Sequence, residues 1–219
     1  MFIVIGGVLG AHEVAAIRDL VPRIPFADGR ATAGRYAREV KRNEQATASP
    51  ELDGILAKVE KALWANDLFV TAARPRRLVR LLLSRYSGGQ EYGSHVDDAI
   101  MEGARTDLSF TLFLSAEDAY EGGALVVEDP LEERAIRLGP GDLVLYPSTT
   151  LHRVEPVTRG ERLAVVGWAT SWVRDAGRRE ILFDLERSLR EVHGAQGKTP
   201  LFDRLAKTRS NLLRMWAEG

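Results

Sequence analysis

At 219 residues and 24.2 kDa the chain is long enough to bury a full core, and 45% hydrophobic with 28% charged content suits one soluble globular domain with appendages. Its 30 basic residues against 31 acidic leave a net charge of -1, so no whole-chain field favours nucleic acid or an anionic membrane. The absence of cysteine removes disulfide frameworks, thiolate nucleophiles, zinc-thiolate sites and iron-sulfur clusters, and puts any metal on nitrogen and oxygen donors.

The opening residues carry no basic n-region or small-residue cleavage pattern, and no later apolar run is long enough to span a bilayer, so a cytoplasmic location is expected. Phe2 to Ile5 reads as an edge strand, broken by Gly6-Gly7 before a helix over about 10–20. Pro22, Pro25, Asp28-Gly29 and Gly34 mark irregular chain, with a polar, extended piece at 38–42 whose charges read as a solvated face or a lip beside a substrate. Ser49 and Pro50 start a helix that carries Leu52, Ile55, Leu56, Val59, Ala62 and Leu63 on one face. Asp67 is expected to cap a shorter helix ending before Pro75. Residues 1–76 thus read as a helical buttress with little catalytic content.

From 77 to 172 the character changes to short apolar runs divided by glycine, proline and acidic turns. The runs at 78–86, 107–114, 124–127, 135–138, 143–146, 153–157 and 162–170 suit a double-stranded β-helix, the jelly-roll barrel. Gly139-Pro-Gly-Asp142 and Thr158-Arg-Gly-Glu161 read as turns between strands. Residues 173–219 return to helix: Asp175 caps a segment carrying Ile181, Leu182, Leu185, Leu189 and Val192 up to Gly194, and Thr199-Pro200 starts a second. This pair either covers the barrel or forms a homodimer contact, and the covering role is favoured. The fold class is mostly β with flanking helices.

The chemistry centres on His95-Val96-Asp97. An imidazole and a carboxylate two residues apart on extended backbone point the same way and can grip one metal ion. With His152 they make up a 2-His-1-carboxylate facial triad, which leaves three coordination positions open on non-haem iron(II). Arg162 starts the apolar run Arg162-Leu-Ala-Val-Val-Gly-Trp168, where a guanidinium can pair bidentately with a carboxylate of a co-substrate. Arg159, in the turn, is the weaker candidate, and Arg153 should point to the opposite face. Period two along that strand puts Arg162, Ala164, Val166 and Trp168 on one face. His12 and His193 fall on helices and are assigned to surface or packing.

Tyr86, Gly89, Tyr92, His95, Asp97, Gly122-Gly123, Gly141-Asp142, His152, Arg162 and Trp168 together resemble the iron(II)/2-oxoglutarate-dependent dioxygenases of the prolyl 4-hydroxylase type. Within these, the stretches Arg105-Thr-Asp-Leu-Ser109, Leu143-Val-Leu-Tyr-Pro-Ser148 and Pro156-Val-Thr-Arg-Gly160 resemble the bacterial PKHD-type hydroxylases along the whole chain. The resemblance implies His95, Asp97 and His152 as catalytic metal ligands, and Arg162 on the distal carboxylate of 2-oxoglutarate with the Tyr86 hydroxyl beside it. It also implies Trp168 lining the cavity and Tyr92 on the substrate side of the mouth. It further implies Fe(II), 2-oxoglutarate and O2 as reactants with L-ascorbate (vitamin C) as an auxiliary, and hydroxylation of a peptidyl residue or small metabolite with release of succinate and CO2. The rival readings are a non-catalytic sensor jelly-roll that binds metal and 2-oxoglutarate, and a cupin-like isomerase or metal-dependent hydrolase, which is short of histidines. The loops at 99–105 and 115–121 and the chain before Arg42 are expected to border the entrance. Metal affinity is expected to fall in mildly acidic solution, since the ligands must be deprotonated.

Overall fold

The computed structural model describes residues 1–128 and 132–218. The chain before residue 75 alternates short strands with helices: Ile3–Ile5 (β1), Ala11–Leu20 (α1), Phe26–Asp28 (β2), Lys41–Arg42 (β3), Glu44–Ala46 (β4), Pro50–Ala65 (α2) and Asp67–Ala73 (α3). A long strand, Pro75–Ser87 (β5), then opens the barrel. It continues through Glu91–His95 (β6), Ile100–Met101 (β7), Ala104–Arg105 (β8), Leu108–Phe113 (β9), Tyr120–Gly122 (β10) and Leu125–Glu128 (β11). Glu133–Ile136 (β12), Leu143–Pro147 (β13), His152–Val154 (β14) and Val157–Ser171 (β15) complete it, before Ala176–Gln196 (α4) and Pro200–Trp216 (α5).

Two antiparallel sheets form the jelly roll. The larger has the order β1-β13-β9-β15-β5-β4-β2, with β10 paired to β15, and the smaller the order β12-β11-β14-β6-β3. The period-two geometry of strands sorts side chains between two cores. On β13, Leu143 and Leu145 face the helices while Val144 and Tyr146 lie between the sheets. On β9, Leu108, Phe110 and Leu112 join the helix-side core, packed with Ile55, Val59 and Leu63 of α2 and Phe69 of α3. Both faces of the larger sheet are therefore covered at its centre, which is why β9 and β13 read as near-continuous apolar runs.

The helix starts follow their capping residues. Ser49 accepts a hydrogen bond from the Leu52 amide, Asp175 from Arg178 and Thr199 from Phe202. The cap of α3 is Asn66, whose side chain accepts from the Phe69 amide at 2.9 Å, and not Asp67, which instead pairs with Arg190 of α4. Helix α4 runs through Gly194, against expectation, and stops before Gly197, whose φ of +69° no other residue type adopts comfortably.

Two further expectations change. Residues 1–76 are more than a helical buttress: besides the expected edge strand β1, which lies beside β13, β4 pairs with β5, and β3 pairs with β6 of the smaller sheet. Strands of two or three polar residues have no visible alternation, and their extended form comes from the neighbours they pair with. The stretch Thr158–Glu161 is no turn: β15 starts at Val157 and passes through Gly160, held at φ +74° opposite Tyr120 of β10.

Candidate active site

His95 ends β6 and His152 begins β14, directly across the antiparallel ladder from it, so strand pairing alone brings the two rings to a centroid separation of 4.3 Å. Asp97 lies two residues past His95, the two flanking the half-exposed Val96, and both line the pocket. Ligand atoms of His95, Asp97 and His152 lie within 4.8 Å of one another, and the His152 Nε2 is 3.8 Å from Asp97 Oδ2. Each histidine uses the same local device to aim its ring: His95 Nδ1 is 2.8 Å from the Gly93 carbonyl oxygen, and His152 Nδ1 is 3.0 Å from that of Thr150. A carbonyl only accepts, so Nδ1 carries the proton and Nε2 presents its lone pair to the cluster. Asp97 is held in turn by the Ser109 hydroxyl, which donates to Oδ2 at 2.5 Å and lies 2.8 Å from the Ser148 hydroxyl.

Two imidazole nitrogens and one carboxylate oxygen on one side of a pocket suit iron(II) with open coordination positions. The pocket encloses about 700 Å3 of space free of atoms, counting its open mouth. Room for it comes from β9, whose inward positions are the small Ser109 and Thr111.

Arg162 lies deep on the same wall. It is 1% exposed, and none of its three guanidinium nitrogens has a hydrogen-bond partner among the described residues. The guanidinium carbon sits 5.4 Å from the Tyr86 ring centre and 5.2 Å from that of Phe113. Tyr86 is its cross-strand neighbour on β5. The arginine stem has space because Gly123, at φ +63°, lacks a Cβ that would come within 3.1 Å of Arg162 Cδ. A buried cation with every donor unsatisfied is costly on its own, and its surroundings fit a carboxylate that enters the pocket. Trp168 lines the pocket from the same face of β15 as Arg162, with its indole nitrogen also buried and unpartnered.

Tyr92 lines the pocket and stacks on His95 with ring centres 3.6 Å apart. Burial holds the Tyr86 hydroxyl protonated, raising its pKa to about 12 in spite of Arg162 beside it. Arg159 and Arg153 stay outside, paired with Glu121 and Glu133. His12 is exposed on α1, and His193 packs against Phe202. Of the loops expected at the entrance, the chain before Arg42 contributes Thr32, Gly34 and Ala37, and the 99–105 loop contributes Met101. The 115–121 loop does not line the pocket, because Ser115 is tied to the backbone of Glu161 and Leu163. Of the stretch 38–42, read as a solvated face or a substrate lip, Lys41 reaches the pocket and is buried rather than solvated; Gln45 is unforeseen, and these alternate residues share a face with Asn43 while Arg42 points out.

Burial, and then the neighbouring His152, lower the His95 pKa to about 4. Its proton therefore competes with metal only at lower pH than a free imidazole's would, which moves the expected acid loss of metal downwards at this ligand. The sign for stability is opposite to that of a salt-bridged histidine. The unfolded chain binds a proton near pH 6.5 and the folded one only near 4, so stability is full above about 6.5 and falls as pH drops between these values. The metal-free protein is expected to lose about 2 kcal/mol from this source by pH 5, read as a lower urea midpoint that His95→Gln makes less pH-dependent.

Comparison with known proteins agrees with this geometry. Residues 81–170 match the 2OG-Fe(II) oxygenase superfamily, and residues 176–218 match the PKHD-type hydroxylase C-terminal domain. The chain is 50% identical to a PKHD-type hydroxylase of Maricaulis maris and 53% identical to one of Parvibaculum lavamentivorans, each across 100% of both chains. Its fold is similar to that of a Pseudomonas putida prolyl-4-hydroxylase, with a TM-score of 0.55 and 23% identity over 78% of this chain and 92% of the other. It is also similar to a Trichoplax adhaerens prolyl hydroxylase solved with a hypoxia inducible factor peptide fragment, with a TM-score of 0.57 and 17% identity over 78% and 83%.

Proposed function

The chain belongs to the PKHD-type hydroxylases of the 2OG-Fe(II) oxygenase superfamily, and from that premise we propose that it hydroxylates an unactivated C-H bond of a peptidyl residue or small metabolite, converting 2-oxoglutarate to succinate and CO2. The observation that carries the proposal is the juxtaposition of the His95, Asp97 and His152 ligand atoms with the buried, partnerless guanidinium of Arg162 in one pocket.

In this reading His95 Nε2, His152 Nε2 and an Asp97 oxygen hold iron(II), and Arg162 receives the distal carboxylate of 2-oxoglutarate with the Tyr86 hydroxyl as a second donor. When bound, iron, 2-oxoglutarate and dioxygen supply the oxidising chemistry. The protein's own work is placement. Gly93 and Thr150 fix the histidine tautomers, Ser109 orients Asp97, and the rings of Tyr86 and Phe113 pack about the Arg162 guanidinium. Tyr92, stacked on His95 at the mouth, lies where a substrate would pass. Ascorbate fits as the reductant that restores iron after turnovers without product.

Supporting a cytoplasmic enzyme are the absence of cysteine and the fact that, among the described residues, no helix is long and apolar enough to cross a membrane. The amphipathic face of α5, which has no fully buried residue, would suit a homodimer contact. Iron-dependent release of succinate from 2-oxoglutarate tests the proposal. A sensor would bind both without consuming either. Ser109→Ala, which removes the partner of Asp97 but no ligand, is expected to weaken iron binding about 10- to 100-fold with little change in melting temperature, as measured by chelator competition.

A further inference from the structure

One cation of the pocket has no part in the chemistry above. Lys41, on β3 at the edge of the smaller sheet, is only 4% exposed, and its side chain lines the pocket from the sheet opposite the one that carries Arg162. Its ammonium donates one hydrogen bond to Thr32 Oγ1 at 2.8 Å and lies 4.9 Å from the centre of the Tyr92 ring, the ring stacked on His95. Among the described residues no carboxylate lies within ion-pairing distance of it. Asp98, the other acid on that wall, lies against Gly34, where a Cβ would meet its Oδ1 at 2.4 Å, and Arg80 is paired with Glu102 at 3.5 Å.

A lysine so deeply buried is ordinarily paired or neutral. Burial, and then Arg80, lower its pKa to about 8, which leaves it mostly charged at neutral pH. Resting on the iron and 2-oxoglutarate reading of the site, the charge balance is informative. The positive charges of iron(II) and Arg162 are matched by the two carboxylates of 2-oxoglutarate and that of Asp97; Asp97 and Asp28 attract Lys41 only from beyond pairing distance, and Asp28 is itself paired with Arg30, so Lys41 has no carboxylate of its own. An ammonium has three N-H donors, and here one is taken by Thr32.

We propose that Lys41 is a specificity-determining residue, which binds a carboxylate of the substrate at the mouth side of the iron site and so selects an acidic substrate. The aromatic face of Tyr92 would carry the apolar part of that substrate past His95 towards the metal. The carboxylate belongs either to a free amino-acid-like molecule or to an acidic side chain in a peptide.

The test is binding to the protein loaded with Mn(II) and 2-oxoglutarate, measured by equilibrium dialysis. The small probes are N-acetylproline, N-acetylleucine and N-acetylglutamine with their carboxamides, and the peptide probes are capped Ala-Asp-Ala against Ala-Asn-Ala. Wild type is expected to bind at least one acid about tenfold or more tighter than its amide, and which arm shows the preference tells the two sources apart. K41M should abolish the preference while Mn(II) and 2-oxoglutarate still bind. T32V, which removes only the hydroxyl partner, should retain it, as a merely structural role for Lys41 would not predict. Acids that bind no better than amides in wild type, a panel in which nothing binds included, overturn the assignment. So does a preference that survives in K41M. Absence of Mn(II) or 2-oxoglutarate binding sinks the whole site and Lys41 with it, whereas intact loading without a preference sinks Lys41 alone.

Discussion

Alanine in place of Asp97 is expected to cut iron-dependent succinate release by more than about 100-fold. Loss of an outer partner such as Ser109 costs a metal site about 10- to 100-fold, and loss of a direct ligand should cost more. The carboxylate is also the only anionic donor of the set, so two neutral imidazoles would be left to hold a divalent cation. Its removal frees Ser109 to bond Ser148 alone, 2.8 Å away, so the fold has a ready local repair. The expected result is a variant with an unchanged circular dichroism spectrum and no iron-induced rise in melting temperature. A variant that retains wild-type turnover would remove Asp97 from the site.

The second large effect is at Arg162, and it has opposite signs for function and stability. Two charge-assisted hydrogen bonds to a carboxylate contribute about 1.5–3 kcal/mol each, so Arg162→Met should raise the 2-oxoglutarate requirement by about 100-fold or more while iron still binds. Without co-substrate, the guanidinium is buried with all its donors unsatisfied among the described residues. Replacing a buried, unpaired charge by an apolar side chain of similar length is often neutral or stabilising, and the metal-free variant should melt at or above the wild-type temperature. Wild type should in turn be stabilised by 2-oxoglutarate and the variant not. A variant with unchanged 2-oxoglutarate dependence in turnover would show that the carboxylate binds elsewhere.

These residues were legible in the sequence for a reason. His95 and Asp97 share an inward-facing alternation that needs only extended backbone, and Arg162 begins the apolar run within β15, whose parity puts Trp168 on the same face. The central strands of the larger sheet were legible too, since burial on both faces writes long apolar runs such as those of β9 and β13. The burial of Lys41 and the place of Gln45 were hidden because a short strand of polar residues looks like a loop, and because charge in a sequence normally marks solvent. A trace was present: Lys41, Asn43 and Gln45 alternate with Arg42 and Glu44, and the buried set is the one whose side chains include the two amides. Strand β6 and the partners of β14 depend on pairing between distant segments, which no local window contains.

The run from Lys41 to Gln45 has a mechanical consequence. Lys41 pairs with Tyr92 in one sheet and Gln45 with Ser84 in the other, and the intervening backbone is covalent. At that end the gap between the two layers is set by a tie rod a few residues long, and packing can adjust it little. The 29–40 segment is fastened to the same rod, since the Gly29 amide donates to the Asn43 carbonyl and the Lys41 ammonium to the Thr32 hydroxyl.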